Sequence, residues 1–552
     1  MTDYHNPALQ EMADAFLHDY FAFYPTIASS LGLHAYDGQV PNLRPESIAA
    51  RVEVLRHFQQ RLQQIDPSSL ERLAWFDYEL LRWQTRAELW RWTERRDHVR
   101  NPMVYTDDMM VDNYVKRNYA PLEVRAEALI RHLRQIPEIA EVARHNLNTT
   151  TPQILIEESL PVFDGLMTFI DESLPQTFGD DQIPASLQPA LSEARHNALT
   201  AIEHLKTYLK DTLYPNAQKD FAIGERLFSE MLRSHELVDL PLDRLLAIGE
   251  ADLARNQAAI EQVAARIDPT RSVREQMQSQ GRNHPTADRL LEETRALLEH
   301  LRTFLVERDL VTFPEEGQCI VEETPPFARW AFAMMDTAGP FEQVATDSFY
   351  YVTLPEAHWP PEQVEGWLTK FDYATMTGVS IHEAYPGHYI HFMKVRHAPT
   401  RLARVFDTYS HFESWAHYCE QMVLEQGYQP ENLSLRLAQL SEALVRNCRY
   451  VCAIKMHTRG MSVEECTRFF MEHAYMDEVP ATREARRGTH DPGYINYTLG
   501  KLQLLKLLED CKAARGADFS LKQFHDEYIG YGSPPIPLLR KLLLPHDDGV
   551  LF

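Results

Sequence analysis

The chain has 552 residues, 44% hydrophobic and 24% charged, a composition that supports a large buried core and excludes wholesale disorder. Glycine is scarce, 21 residues in all, about 4% against a usual ~7%, which disfavours collagen-like and heavily turned all-β architectures. The 55 basic and 80 acidic residues leave a net charge of −25, which argues against nucleic-acid binding because that needs a basic footprint to displace counterions.

The opening residues, MTDYHNPALQEMADAF, show no basic region followed by an apolar run, so no secretory signal is expected. No stretch approaches the roughly 18–20 uninterrupted apolar residues of a membrane helix. Six cysteines in so long a chain do not make a disulfide framework. Cys448 and Cys452 stand four apart, like half a zinc site, but no second such pair accompanies them and buried free thiols are expected. These features predict a cytoplasmic protein that binds neither nucleic acid nor membrane; its oligomeric state is not legible.

Helical periodicity dominates from the start. The segments PESIAARVEVLRHFQQRLQQI (45–65), APLEVRAEALIRHLRQIPEIAEVARHNL (120–147) and LPLDRLLAIGEADLARNQAAIEQVAARI (240–267) repeat apolar residues every three or four positions, the mark of amphipathic helices. Pro45-Glu46 and Pro121-Leu122-Glu123 place proline and acid in first turns. Breakers separate them at Thr151-Pro152, Gly179-Asp180-Asp181 and Tyr214-Pro215-Asn216. The polar stretch 268–284 reads as a loop or a solvated helical end, and no solenoid repeat is present. From 311 to about 360 the chain turns proline-broken and extended. There Ser348 to Thr353 packs aromatic and β-branched residues between Asp347 and Pro355, which predicts a strand with a partner. Helices resume after it. The expected fold is therefore mainly α, with a small β-sheet next to the C-terminal chemistry and a working boundary near 310.

That chemistry centres on TGVSIHEAYPGHYIH (377–391). A His-Glu pair on a helix, followed by another histidine, is the pattern of zinc hydrolases: two imidazoles hold the metal, and the glutamate takes a proton from the attacking water. The usual histidine spacing is four, whereas His382 and His388 are six apart. On an unbroken helix that leaves them about 120° apart and ~9 Å along the axis, too far for one ion. Pro386 lacks an N–H and Gly387 tolerates unusual backbone angles, so a kink there is expected to return His388 to His382. If the next helix, about 401–425, packs antiparallel after a turn at Pro399, the position facing the two histidines is Glu413, within HFESWAHYCE (411–420). Its aromatic neighbours predict burial, and a buried acid needs a cation. Glu420 lies two turns further on the same face and suits the task of orienting a ligand.

HEAYPGHY, followed by FESWAHYCEQMVLEQG, resembles the bacterial domain of unknown function 885 family, whose motif is His-Glu-x-x-Pro-Gly-His with a later Glu-Gly-Trp-Ala-like segment. More diffuse similarity extends through YPTIASSLGLHAYDG, DYELLRWQ, HELVDLPLDRLLAIGEADL and FHDEYIGYGSPPIPLLR. The resemblance implies a gluzincin-like zinc peptidase on a mostly helical, zincin-like scaffold, with Zn2+ held by His382, His388 and Glu413 and with Glu383 as the base. The change of texture near 310 suggests a helical part (1–310) covering a cleft and a catalytic part (311–552), with one continuous body as the alternative. Ser414 stands where the family commonly has glycine, and Ala453-Ile454-Lys455 replaces a frequent Asp-Thr-Gly.

A peptidase also needs a donor for the oxyanion. HDPGYINYTLGK (490–501) offers Tyr497 first and Tyr494 second, and His457 is a weaker candidate. The strand Ser348–Thr353 could present an edge to a peptide backbone. The expected reaction is hydrolysis of short peptides. The competing readings are a zinc amidohydrolase acting on non-peptide amides or amino-acid conjugates, and a non-catalytic helical binding protein stabilised by its metal.

Overall fold

Helix starts fall where proline or a short polar side chain precedes an apolar period. Pro45 opens Pro45–Leu62, and Asp372 caps Tyr373–Glu383 by accepting from the backbone N–H of Ala374 and of Thr375, both at 3.1 Å. The computed structural model describes residues 6–179, 182–325, 329 and 331–552. The breaker at Asp180-Asp181 and positions 326–328 and 330 of the extended stretch lie outside the described residues. The fold is mainly α, with one three-stranded sheet among the described residues.

Two compact units make up the chain: residues 1–222 with 338–346, and residues 223–337 with 347–552. The working boundary near 310 falls inside the second. The first unit is a stack of amphipathic helices in which the segment 120–147 forms two, Leu122–Leu133 and Ile136–Asn146. Pro137 explains the split, because a residue without an N–H fits a first turn but not a helix interior.

In the second unit, Leu242–Ile267 is one long helix, as its unbroken period predicts. The polar stretch 268–284 contains a helix of its own, Val273–Gln280, opened by a capping box between Ser272 and Glu275. That Ser-x-x-Glu signal was available in the sequence. The sheet comprises β1 (Cys319–Glu323), β2 (Ala333–Asp336) and β3 (Ser348–Val352), ordered β1-β3-β2. Cys319 to Glu323 run parallel to Ser348 to Val352, while Ala333 to Asp336 run antiparallel against Val352 to Phe349. The aromatic strand therefore lies in the middle, paired on both sides, and offers no free edge; that expectation is corrected, and an outer position belongs to β2.

Six helices carry the site: α1 (Tyr373–Glu383), α2 (His388–Val395), α3 (Tyr409–Glu425), α4 (Leu433–Thr458), α5 (Glu478–His490) and α6 (Asn496–Arg515). The stretch expected as one helix over 401–425 is divided. A short helix, Arg401–Val405, precedes α3, and between them Thr408 N–H donates to the Ser533 carbonyl at 2.8 Å. Among the described residues no helix is long and apolar enough to cross a membrane. All six cysteines are free, and Cys448 and Cys452 are buried in α4.

Candidate metal centre

The motif helix stops where its sequence says it must. After Glu383 the backbone leaves the helix, with Gly387 N–H donating back to the Ile381 carbonyl at 3.0 Å, and α2 begins at His388. Gly387 makes room for the break, since a methyl group there would collide with the His382 carbonyl. That close approach folds His388 back over His382, with the imidazole centroids 4.8 Å apart and their planes at 89°. Gly387→Ala is expected to cost about 1–3 kcal/mol by overpacking and to displace His388. A lower urea midpoint together with a metal content below one per chain would show it.

Helix α3 is pinned against this break by the Trp415 indole N–H, which donates to the Pro386 carbonyl at 2.8 Å. Glu413, two residues earlier and 8% exposed, is thereby aimed at both histidines. Its Oε2 lies 3.4 Å from His382 Nε2 and 3.6 Å from His388 Nε2, and the three ligand atoms all fall within 4.8 Å of one another. Among the described residues this is the one such group able to hold a metal ion.

The separations favour an ion over hydrogen bonds. Donor–acceptor pairs normally close to about 2.7–3.2 Å, whereas tetrahedral ligands at about 2.0–2.2 Å from a centre stand about 3.3–3.6 Å apart. Glu413 Oε2 is buried without a hydrogen-bond partner, a costly state that a cation relieves.

The ligands are oriented from behind. His382 Nδ1 lies 2.7 Å from Glu420 Oε1, which also accepts from Arg446 Nη2 at 3.0 Å. Both then donate to one carboxylate oxygen, which turns His382 Nε2 towards the cluster, where its lone pair serves a metal once the Nε2 proton is displaced. His388 is held by packing, stacked at 5.5 Å on Phe392 and 6.1 Å from Phe412. Glu383, next after His382 at the end of α1, has its carboxylate fixed by the sheet: Met335 N–H donates to Glu383 Oε2 at 3.0 Å.

Burial disfavours charge on His382, but the Glu413 and Glu420 carboxylates outweigh it and lift its pKa to about 10. Burial likewise pushes Glu413 up, and the two imidazoles more than reverse it, holding the acid well below the usual carboxylate range. Metal-free protein at neutral pH thus carries a proton on His382 that a metal must displace, while Glu413 is already ionised. Apparent metal affinity is expected to rise about tenfold per pH unit below pH ~10 through His382 alone. Chelator competition between pH 6.5 and 8.5 measures this, and a flat profile would contradict it.

Tyr497, on α6, comes to the same place. It is 8% exposed, with three guanidinium carbons around its ring: Arg446 at 5.7 Å, Arg449 at 5.0 Å and Arg487 at 5.9 Å from the centroid. Burial and then the Glu413 charge raise its pKa above 10, against the pull of Arg449 and Arg487, so the hydroxyl keeps its proton. Tyr494 is placed differently. Fully buried, it directs its hydroxyl at Met456 Sδ, 3.7 Å away, against Gly488. His457 is a core residue, its Nε2 2.8 Å from the Gly488 carbonyl.

Sequence reasoning missed Tyr409. Its ring meets that of Tyr497 at 5.4 Å, its hydroxyl accepts from Arg487 Nη2 at 2.8 Å, and burial followed by neighbouring charges, Glu413 among them, raises its pKa. The signal was its position, four residues before Glu413 and so on the same helix face. Arg446, which closes on Glu420 from α4, had no local signal.

Residues 25–543 match the family described as bacterial protein of unknown function, DUF885, and the chain belongs to that family. No curated protein matches it. Two solved structures share the fold. A candidate lipoprotein of unknown function from Shewanella oneidensis superposes with a TM-score of 0.81 at 22% identity, covering 97% of this chain and 99% of its own. A candidate lipoprotein from Colwellia psychrerythraea gives 0.81 at 16% identity, covering 97% and 98%.

Proposed function

We propose that the protein is a zinc-dependent hydrolase that cleaves peptide bonds in short peptides. The observation that carries this is the convergence of His382 Nε2, His388 Nε2 and Glu413 Oε2 beside a glutamate whose carboxylate is held in place by Met335 N–H. Two imidazoles and one carboxylate are a donor set that suits zinc in open, catalytic sites. Zinc, when bound, supplies a Lewis acid that lowers the pKa of water and polarises a carbonyl.

The residues divide the remaining work. Glu383 takes the proton of the attacking water and passes it to the leaving amine. Tyr497, kept protonated, donates to the carbonyl oxygen as negative charge develops on it. Glu420 fixes the His382 ring. The outward backbone groups of β2 other than Met335 N–H, which serves Glu383, offer a strand along which a peptide can lie. Together these features support reading the chain as a gluzincin-like enzyme built on a His-Glu-x-x-Pro-Gly-His motif.

A cytoplasmic location belongs to the same proposal. It is supported by six free thiols, a state that reducing compartments preserve; the alternative is lipid anchoring, after the descriptions of the two structural neighbours. Cell fractionation separates them.

Digestion of a short-peptide library by zinc-loaded protein, read by mass spectrometry beside a panel of acylated amino acids, tests the activity. Cleaved peptide bonds are expected. Turnover confined to the non-peptide amides, or none at all, would sink the peptidase reading.

A further inference from the structure

The family-like segment HELVDLPLDRLLAIGEADL contains an acid that the metal centre does not use. Glu236 closes the turn Leu232–Glu236 and is 3% exposed. Its Oε1 accepts from Asn496 Nδ2 at 2.8 Å, and its Oε2 accepts from the Ser410 hydroxyl. Burial lifts the Glu236 pKa to about 7 against the pull of both donors, and the negative charge of Asp407 adds to the rise. An acid among a hydroxyl, an amide and another acid is a poor source of stability, since an apolar residue of similar volume would be cheaper to bury.

What it joins is informative. Ser410 follows Tyr409 in the first turn of α3, three residues before Glu413, and Asn496 is the first residue of α6, immediately before Tyr497. One carboxylate therefore ties together the two helix starts that bear the paired tyrosines. The helices meet closely there, because a methyl group on Gly500 would collide with the Ser410 carbonyl. The tie joins Glu236 to partners 174 and 260 positions further along the chain.

We propose that Glu236 is a positioning residue, whose bonds to Ser410 and Asn496 hold the hydroxyls of Tyr409 and Tyr497 beside the His382–His388–Glu413 cluster. This rests on the reading of Tyr497 as the oxyanion donor, and its test separates the two. Protein labelled with 3-fluorotyrosine is examined by 19F NMR, metal-free and zinc-loaded, as wild type, Glu236→Gln and the milder Ser410→Ala. The signals of Tyr409, Tyr497 and the remote Tyr428 are assigned by single Tyr→Phe changes.

The Tyr409 and Tyr497 signals are expected to move in both variants, with or without zinc, while that of Tyr428 stays. In zinc-loaded protein, Glu236→Gln should lower kcat roughly tenfold or more with KM within about twofold. Adding Tyr497→Phe should then cost far less than it does in wild type, because the two changes remove one function. Tyrosine signals unmoved in both variants, or kcat losses that multiply, would overturn the proposal. If wild type cleaves no peptide while the two signals still move, the hydrolase reading falls and the positioning of the tyrosines stands.

Discussion

Glu383→Gln protein is expected to bind one zinc per chain and to cleave peptides about 10³-fold more slowly than wild type, within the 10²–10⁴ range that a general base contributes. The substitution keeps the volume and the acceptor for Met335 N–H, so β2 and the end of α1 stay in place. It removes the group that can accept a proton from water, and Glu383 is not one of the three converging ligands, so metal content is unchanged. The loss should fall on kcat, with KM little altered. An inert, metal-stabilised binding protein predicts no such separation, since its cellular activity would be indifferent to the change.

Removing a ligand should have the opposite signature, a loss of the metal itself. If about 10–16 kcal/mol of zinc binding is shared over four ligands, His388→Ala or Glu413→Gln forfeits about 2.5–4 kcal/mol, some 10²–10³-fold in affinity. Glu420→Gln touches only the orientation of His382 and should cost about 10–100-fold. The predicted order is therefore wild type, Glu420→Gln, then the ligand variants, measured by competition with a fluorescent chelator at fixed pH. Equal affinities across the series would place the metal elsewhere. The ligand variants should recover part of their activity at high zinc, whereas Glu383→Gln should not.

Much of this geometry was legible because it is local. Pro386 marks the end of the motif helix, Pro399 the next turn, and simple facing arithmetic across that turn reaches Glu413, which does face both histidines. The break at Pro386-Gly387 was expected, but the collision of a Gly387 side chain with the His382 carbonyl could be seen only in the structure. The sheet was half legible. Ser348–Val352 announces itself by composition, but Ala333–Asp336 (Ala-Met-Met-Asp) has no β-branched residue, and the order β1-β3-β2 is set by pairings between distant segments. The same limit hid Arg446 behind Glu420 and Glu236 between Ser410 and Asn496. Tyr409 was within reach, one turn before Glu413. Tyr494 and Tyr497 could not be told apart by spacing, because which ring meets Tyr409 depends on how α6 meets α3.

The most direct test is anomalous diffraction at the zinc edge on crystals of the zinc-loaded protein. One peak per chain is predicted, about 2.0–2.2 Å from the Nε2 atoms of His382 and His388 and from a Glu413 carboxylate oxygen, with Glu383 alongside and not bound to it. A peak at any other set of side chains, or imidazoles 382 and 388 in full density with no scatterer between them, would contradict the account.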